Sequence, residues 1–180
     1  MKMDHRDADH LLSSKIGLVP VARGRHKHYV FGDHRIGLPA ILCISHGNDE
    51  LSNSNIKGLA QGLGMSSDGV CRGSKCHVGK ECALLCMAIC VLSRLFPLAK
   101  RHVEEDPIVR GNAVKRLAES VTLILDLVGA VPPDPAKWRP LERKELARAR
   151  QQLSAVPKHP DIARISERLL QWSAVPEAIA

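Results

Sequence analysis

Residues 24–29 have the sequence Gly24-Arg25-His26-Lys27-His28-Tyr29, and this segment decides how the N-terminal part of the chain folds. β-forming residues precede and follow it, so it is predicted to be a turn that leads into a strand. Side chains alternate along a strand, which places His26 and His28 on one face and Tyr29 on the other. Cations beside the imidazoles would attract phosphate, and a histidine can move a proton near neutral pH. A solvated strand edge with ordinary surface histidines is the simpler alternative.

The pattern on either side of this segment predicts a helix, three strands and a second helix. These are a helix over Asp7–Lys15, strands over Leu18–Arg23, His28–Phe31 and Leu38–Ser45, and a helix capped by residues 53–55 with Ile56, Leu59, Ala60 and Leu63 on one face. Pro20 should place the first strand at a sheet edge or bend it, and the apolar third strand is expected to be central. This is the order of a double-stranded-RNA-binding-like fold, so residues 1–66 are predicted to form an α+β domain of α-β-β-β-α order.

The remainder of the chain is predicted to be a linker and a helical extension. Residues 67–81 are rich in serine and glycine and are interpreted as the linker. Apolar stripes separated by prolines then predict a helical bundle over residues 82–180. Its helices are expected at Cys82–His102, Ala113–Ala130, Leu141–Leu153 and from Pro160 or Asp161 onward.

Composition restricts the class of partner. The formal net charge of +7 suggests a polyanion such as RNA, whereas an aromatic content of only 3% argues against recognition by base stacking. The longest apolar stretch, Cys82 to Ser93, is too short to cross a bilayer, and no secretion signal is visible, so no membrane partner is expected. The chain is therefore expected to be cytoplasmic, with its six cysteines reduced.

Several short motifs of the N-terminal third occur in the order and spacing of one protein family. They are Leu11-Leu12, Gly17, Val21, Gly24-x-His26-x-x-Tyr29, the stretch Ser45-His46-Gly47-Asn48-Asp49-Glu50-Leu51, and the segment Ser52 to Gly64 that follows it. Over residues 8–66 the chain resembles the HicA-type, or YcfA-like, toxins of bacterial toxin–antitoxin pairs. The resemblance implies the same double-stranded-RNA-binding-like fold.

The resemblance also implies an activity and a site. His26 occupies the position of the catalytic histidine in the family's Gly-Ser-His motif, with Arg25 where the family usually has serine. Such a toxin cleaves mRNA without a metal or other cofactor and is held inactive by a HicB-like antitoxin. Arg23 or Lys27 could stabilise charge at phosphorus, and the other RNA-binding candidates are Gly24, Arg25, His28, His46 and Lys57. RNA binding without cleavage and a purely structural role for His26 are the alternatives.

A second class of function rests on the cysteines. Cys71, Cys76, His77 and Cys82 could hold zinc in a zinc-stabilised adaptor or DNA-binding regulator, but their spacing contains no Cys-x2-Cys knuckle. Cys82, Cys86 and Cys90 recur every four residues on an apolar helix, and this pattern is typical of small buried hydrophobic side chains.

Overall fold

The protein combines a small antiparallel sheet with a larger set of helices. The computed structural model describes residues 2–23, 26–30, 42–45, 50–75, 77–105, 107–153, 156 and 160–176. In these ranges lie helices α1 (His5–Asp9), α2 (Asn53–Leu63), α3 (Ser67–Ser74), α4 (Lys80–Glu105), α5 (Pro107–Val128), α6 (Pro140–Leu153) and α7 (Pro160–Trp172), and strands β1 (Val19–Arg23), β2 (His26–Val30) and β3 (Leu42–Ser45).

The first helix has a cap at each end. The side chain of Asp4 accepts a hydrogen bond of 2.6 Å from the backbone N–H of Asp7, and α1 then continues as a π-helical segment, His10–Ile16. Gly17 ends this segment with a φ of 87°, a backbone conformation that glycine adopts without steric cost. The helix predicted over Asp7–Lys15 is confirmed.

The strands form one antiparallel sheet in the order β1-β2-β3, which confirms the α+β class. The edge position predicted for β1 from Pro20 is also confirmed. The prediction that the third strand is central was wrong, because β2 lies between the other two. β1 and β2 are antiparallel neighbours, and β3 pairs antiparallel with the other edge of β2. Residues 38–41 of the predicted third strand lie outside the described residues.

The N-cap of helix α2 lies one residue before its predicted position. Ser52, and not the segment 53–55, is the N-cap, because its hydroxyl accepts a 3.2 Å hydrogen bond from the backbone N–H of Asn55. The apolar face predicted for this helix is buried. Gly64 ends the helix with a φ of 64° and lies close to α4.

Residues 67–81 are not the exposed linker that their composition suggests. They contain α3, which packs against α2, α6 and the π-helical segment. Val70 and Cys71 are buried in the same hydrophobic core as residues of α2 and α4. The division into residues 1–66 and 82–180 stays a prediction, but one continuous core connects the described residues on both sides of it.

The helical part largely follows the predicted boundaries. Helix α4 continues through Pro97, α5 begins six residues before the predicted Ala113, and α6 and α7 lie where they were expected. Helix α4 packs against α2, α5, α6 and α7, so it is the central element of the core. Within the described ranges, no helix is both long and apolar enough to cross a membrane.

Two buried carboxylates on α6 connect it to the starts of α3 and α4. Glu145 accepts a 2.7 Å hydrogen bond from the backbone N–H of Ser66, the N-cap residue of α3. Glu142 accepts one of 2.7 Å from the backbone N–H of Gly79, which immediately precedes α4. Negative charge is favourable at a helix N-terminus, so both contacts also suit the helix dipoles.

Candidate functional site

The sheet register brings several of the predicted site positions to one end of the sheet. His26 is the first residue of β2 and pairs with Arg23, the last residue of β1, and with Ser45, the last residue of β3. His46 follows Ser45 directly in the sequence. The side chains of Arg23 and His26 lie outside the described part of the structure, as do Gly24, Arg25 and His46 altogether.

Lys27 and Tyr29 both contact Asp9 on the first helix. The Tyr29 hydroxyl donates a 2.6 Å hydrogen bond to Asp9 Oδ1, and the Lys27 Nζ lies 3.6 Å from the same oxygen. The two side chains therefore share the face of β2 that packs on α1. The Lys27 charge is partly compensated by a carboxylate before any phosphate approaches. An ion pair this exposed contributes only about 0–1 kcal/mol to stability.

Tyr29 is a buried structural residue of this face. Only 1% of it is exposed, and it belongs to the hydrophobic core. Burial raises the pKa of its phenol well above the usual value of 10, and the hydrogen bond to Asp9 and the charge of that carboxylate raise the pKa further. Tyr29 is therefore protonated throughout the physiological pH range.

His28 lies on β2 between Val21 of β1 and Cys43 of β3. Strand alternation places it on the face opposite Lys27 and Tyr29, as predicted. The His28 side chain is half-buried. Its predicted role in RNA binding stays a prediction.

Lys57 is part of a different feature. It is exposed on α2 and lines a cavity of about 540 Å³ between α2, the start of α3, α4 and α6. Arg94 of α4 and Arg148 of α6 line the same cavity. Of the predicted RNA-binding residues that the structure describes, Lys57 alone lines it. The two arginines were missed in the sequence because they come from helices far apart in the chain.

The zinc hypothesis finds little support in the described residues. Cys71 and Cys82 are buried, whereas His77 is exposed, and Cys76 lies outside the described ranges. A hydrogen bond with Cys86, together with burial, raises the pKa of Cys82, and burial raises the pKa of Cys71. In the absence of a metal ion, these surroundings therefore favour the neutral thiol at both positions. Among the described residues no three His, Cys, Asp or Glu side chains are grouped to hold a metal ion.

The buried-cysteine interpretation is confirmed. Cys82, Cys86 and Cys90 are each at most 3% exposed and belong to the packed faces of α4. They act there as small apolar side chains.

No protein-family model, curated protein or solved structure matches this chain. The described residues form an α+β fold, and the chain carries a formal net charge of +7. Its function has to be argued from its own residues.

Proposed function

We propose that the chain is a HicA-like endoribonuclease toxin, and that its N-terminal unit is a double-stranded-RNA-binding-like domain. The observation that carries this proposal is the sheet register, because it sets His26 opposite Arg23 and Ser45 at one end of the sheet. The order of the first elements, a helix, three antiparallel strands and a helix, supports the fold part of the proposal.

The proposed reaction uses His26 as a general base. The imidazole removes the proton of a ribose 2′-hydroxyl, and the 2′-oxygen then forms a bond to the adjacent phosphorus. The bond from phosphorus to the 5′-oxygen breaks, and that oxygen takes up a proton from the imidazolium or from water. The products are a 2′,3′-cyclic phosphate and a free 5′-hydroxyl. Negative charge on the phosphoryl oxygens needs a nearby cation, for which Arg23 or Lys27 is the proposed group.

The proposed partners are mRNA as substrate and a HicB-like antitoxin as inhibitor. The positive net charge of +7 supports attraction to RNA, although such attraction by itself carries no sequence specificity. A toxin of this class acts in the cytoplasm, so the proposal includes that location.

RNA binding without cleavage is the second candidate function. It is favoured by the contact between Lys27 and Asp9, because a cation held by a carboxylate is less available to stabilise a transition state. Arg25, in the place of the family's serine, adds a cation suited to phosphate binding at the same position.

The test compares His26→Ala with His77→Ala, an exposed histidine outside the sheet, in the full-length protein. We expect His26→Ala to slow cleavage of a structured RNA by about 10²–10⁴-fold and to abolish growth arrest on expression. RNA binding should persist, and His77→Ala should behave as wild type. Cleavage in the presence of a chelator separates this proposal from the zinc-dependent alternative.

Each contrary result has a distinct meaning. Equal cleavage by wild type and His26→Ala would remove the catalytic role. Binding of RNA without cleavage by the wild type would favour the second candidate function. No binding to structured RNA at low salt would remove both. One equivalent of zinc per purified chain, lost together with the fold, would favour the adaptor or regulator instead.

A further inference from the structure

We propose that the cavity between α2, the start of α3, α4 and α6 binds a small ligand that carries a phosphate group. The cavity has a volume of about 540 Å³, within the range of about 300–1,000 Å³ that is common for small-molecule sites. The proposal does not depend on RNA cleavage at the sheet.

The charge of the lining favours an anion. Lys57, Arg94 and Arg148 approach the cavity from three different helices, and none of the described lining residues is acidic. Among the described residues, Glu145 supplies a compensating carboxylate, because its Oε2 accepts a 3.3 Å hydrogen bond from Arg148 Nη2. Glu145 can balance only one of the three cations, so the cavity keeps an excess of positive charge.

The two arginines are held in place by backbone carbonyls at the end of α2. Arg148 Nη2 donates a 2.9 Å hydrogen bond to the carbonyl of Gly64, and Arg94 Nη1 donates one of 3.4 Å to the carbonyl of Gln61. Capping this helix end is the simpler role for both residues. However, a guanidinium has five N–H donors, and these contacts use few of them. Each arginine can therefore serve the helix end and an anion together.

The arrangement suits phosphate better than a carboxylate. Cations that converge from three helices can contact different oxygens of a tetrahedral group, whereas a planar carboxylate is satisfied by a single bidentate guanidinium. The hydroxyl-bearing Ser66 and Ser67 and the amide of Gln152 add hydrogen-bonding groups to the lining. No aromatic side chain lies among the described lining residues, so base stacking, which favours a nucleic-acid chain, has no platform here.

Calorimetric titration of the full-length protein with inorganic phosphate tests this proposal, with acetate and a short RNA oligonucleotide as comparison ligands. Sodium chloride keeps the ionic strength constant. We expect saturable binding of phosphate, and at least tenfold weaker binding by the double variant Lys57→Gln, Arg94→Gln. The matched control is Lys115→Gln with Arg164→Gln, two exposed cations on α5 and α7, which should bind phosphate as wild type does. Circular dichroism shows that each variant is folded.

The outcomes separate the possible ligands. Saturable phosphate binding that the cavity variant loses and the control variant keeps supports the proposal. Absence of phosphate binding by the wild type overturns it, as does equal binding by the cavity variant. Acetate binding as tight as phosphate binding overturns the assignment to phosphate. If only the oligonucleotide binds, and the cavity variant loses this binding, the surface is an RNA contact instead. RNA cleavage by the His26 variants is measured separately, so the two proposals can fail independently.

Discussion

Glu145 accepts hydrogen bonds from both the backbone N–H and the hydroxyl of Ser66, which lies 79 residues earlier in the chain. The Ser66 hydroxyl in turn accepts a 2.9 Å hydrogen bond from the backbone N–H of Gly69, so one carboxylate supports the cap of α3. A side chain at position 69 would collide with Glu145, because an added Cβ would lie 2.7 Å from its carboxyl carbon. This contact explains how a glycine-rich segment is held as a helix.

The first prediction concerns this contact. Glu145→Ala removes the carboxylate that accepts hydrogen bonds from the Ser66 N–H and from a guanidinium N–H of Arg148. The loss of this acceptor is expected to lower the unfolding free energy by about 1–3 kcal/mol. Urea denaturation measures the difference. Glu167→Ala, at an exposed site on α7, is the control and should change stability by no more than about 0.5 kcal/mol. Equal stability of the two variants would contradict the proposed role of Glu145.

A second prediction concerns the pH dependence of stability. Burial alone would raise the pKa of Glu142. Two effects outweigh burial and hold the pKa below its ordinary value of 4.5: the hydrogen bonds from Arg139 and from the backbone N–H of Gly79, and the attraction of the Arg139 guanidinium. Because the folded pKa is lowered, this stabilisation is present above about pH 4.5 and is lost as the pH falls through the folded pKa.

The measurement compares the unfolding free energy of wild type and Glu142→Gln from neutral to acidic pH. Their difference should be largest near neutral pH and should shrink as the solution is acidified. Glu119→Gln, at an exposed position on α5, is the matched control. A pH-independent difference for Glu142→Gln would show that ionisation of this carboxylate does not stabilise the fold.

The sequence predicted the elements whose apolar residues recur with helical or strand spacing. Helix α2 is one example, since Ile56, Leu59 and Leu63 fall on one face and are buried. Helix α3 was missed because glycine and serine have low helix propensity, and its helix depends on tertiary contacts such as that of Glu145. Propensity within a short window cannot report a partner that lies dozens of residues away.

The candidate sites were predictable only in part. His26 and His28 are close in the sequence, so their predicted placement on one face of a strand follows from the alternation of side chains. Arg94 and Arg148 line the same cavity as Lys57 because α4 packs against α2 and because Arg148 of α6 reaches the carbonyl of Gly64. Glu145 and Arg148 are three residues apart on α6, a spacing that the sequence shows directly. Ion pairs on exposed helix faces have the same spacing, so the sequence does not reveal that Glu145 is buried.

A third prediction compares Gly58 within α2 with Gly64 at the C-cap of this helix. Gly64 has a φ of 64°, and an added Cβ would lie 2.5 Å from the carbonyl oxygen of Cys86 and 2.6 Å from the Cβ of Cys90. Gly64→Ala should therefore lower stability by about 1–3 kcal/mol, from overpacking alone. Gly58 has nothing within 4 Å of an added Cβ, so Gly58→Ala should instead raise stability by about 0.4–1 kcal/mol. Thermal unfolding of both variants checks this opposite effect, and a tolerated Gly64→Ala would argue against the close contact between α2 and α4.

A fourth prediction concerns residues 67–81, whose composition is typical of a linker. Trypsin could cut after Arg72 or Lys75, which are exposed, but Arg72 lies within α3 and Lys75 is the C-cap residue of this helix. A protease needs an extended backbone, so these sites should be cut only after local unfolding. In the wild type, limited proteolysis should therefore begin elsewhere, and Glu145→Ala should speed cleavage at these two sites. A first cut of the wild type after Arg72 or Lys75 would restore the linker interpretation.

The last prediction concerns the contact between the sheet and the first helix. Tyr29 is the only tyrosine of the chain, so its ionisation can be followed by ultraviolet absorbance without ambiguity. Burial and the hydrogen bond to Asp9 raise the pKa of its phenol, and the folded protein should therefore show a tyrosinate midpoint well above 10. Because the folded pKa is raised, this stabilisation is complete below the unfolded pKa of about 10 and is lost as the pH rises towards the folded value.

Asp9→Asn should lower the tyrosinate midpoint, since it removes a negative charge while burial continues to raise the pKa. Asp126→Asn is the matched control, because Asp126 pairs with Arg168 on α7 instead and should leave the midpoint unchanged. Tyr29→Phe should cost about 1.5–3 kcal/mol of unfolding free energy, as expected for a hydrogen bond to a charged group. A wild-type midpoint near 10 would show that Tyr29 is open to solvent, and β2 would then not be anchored to the first helix.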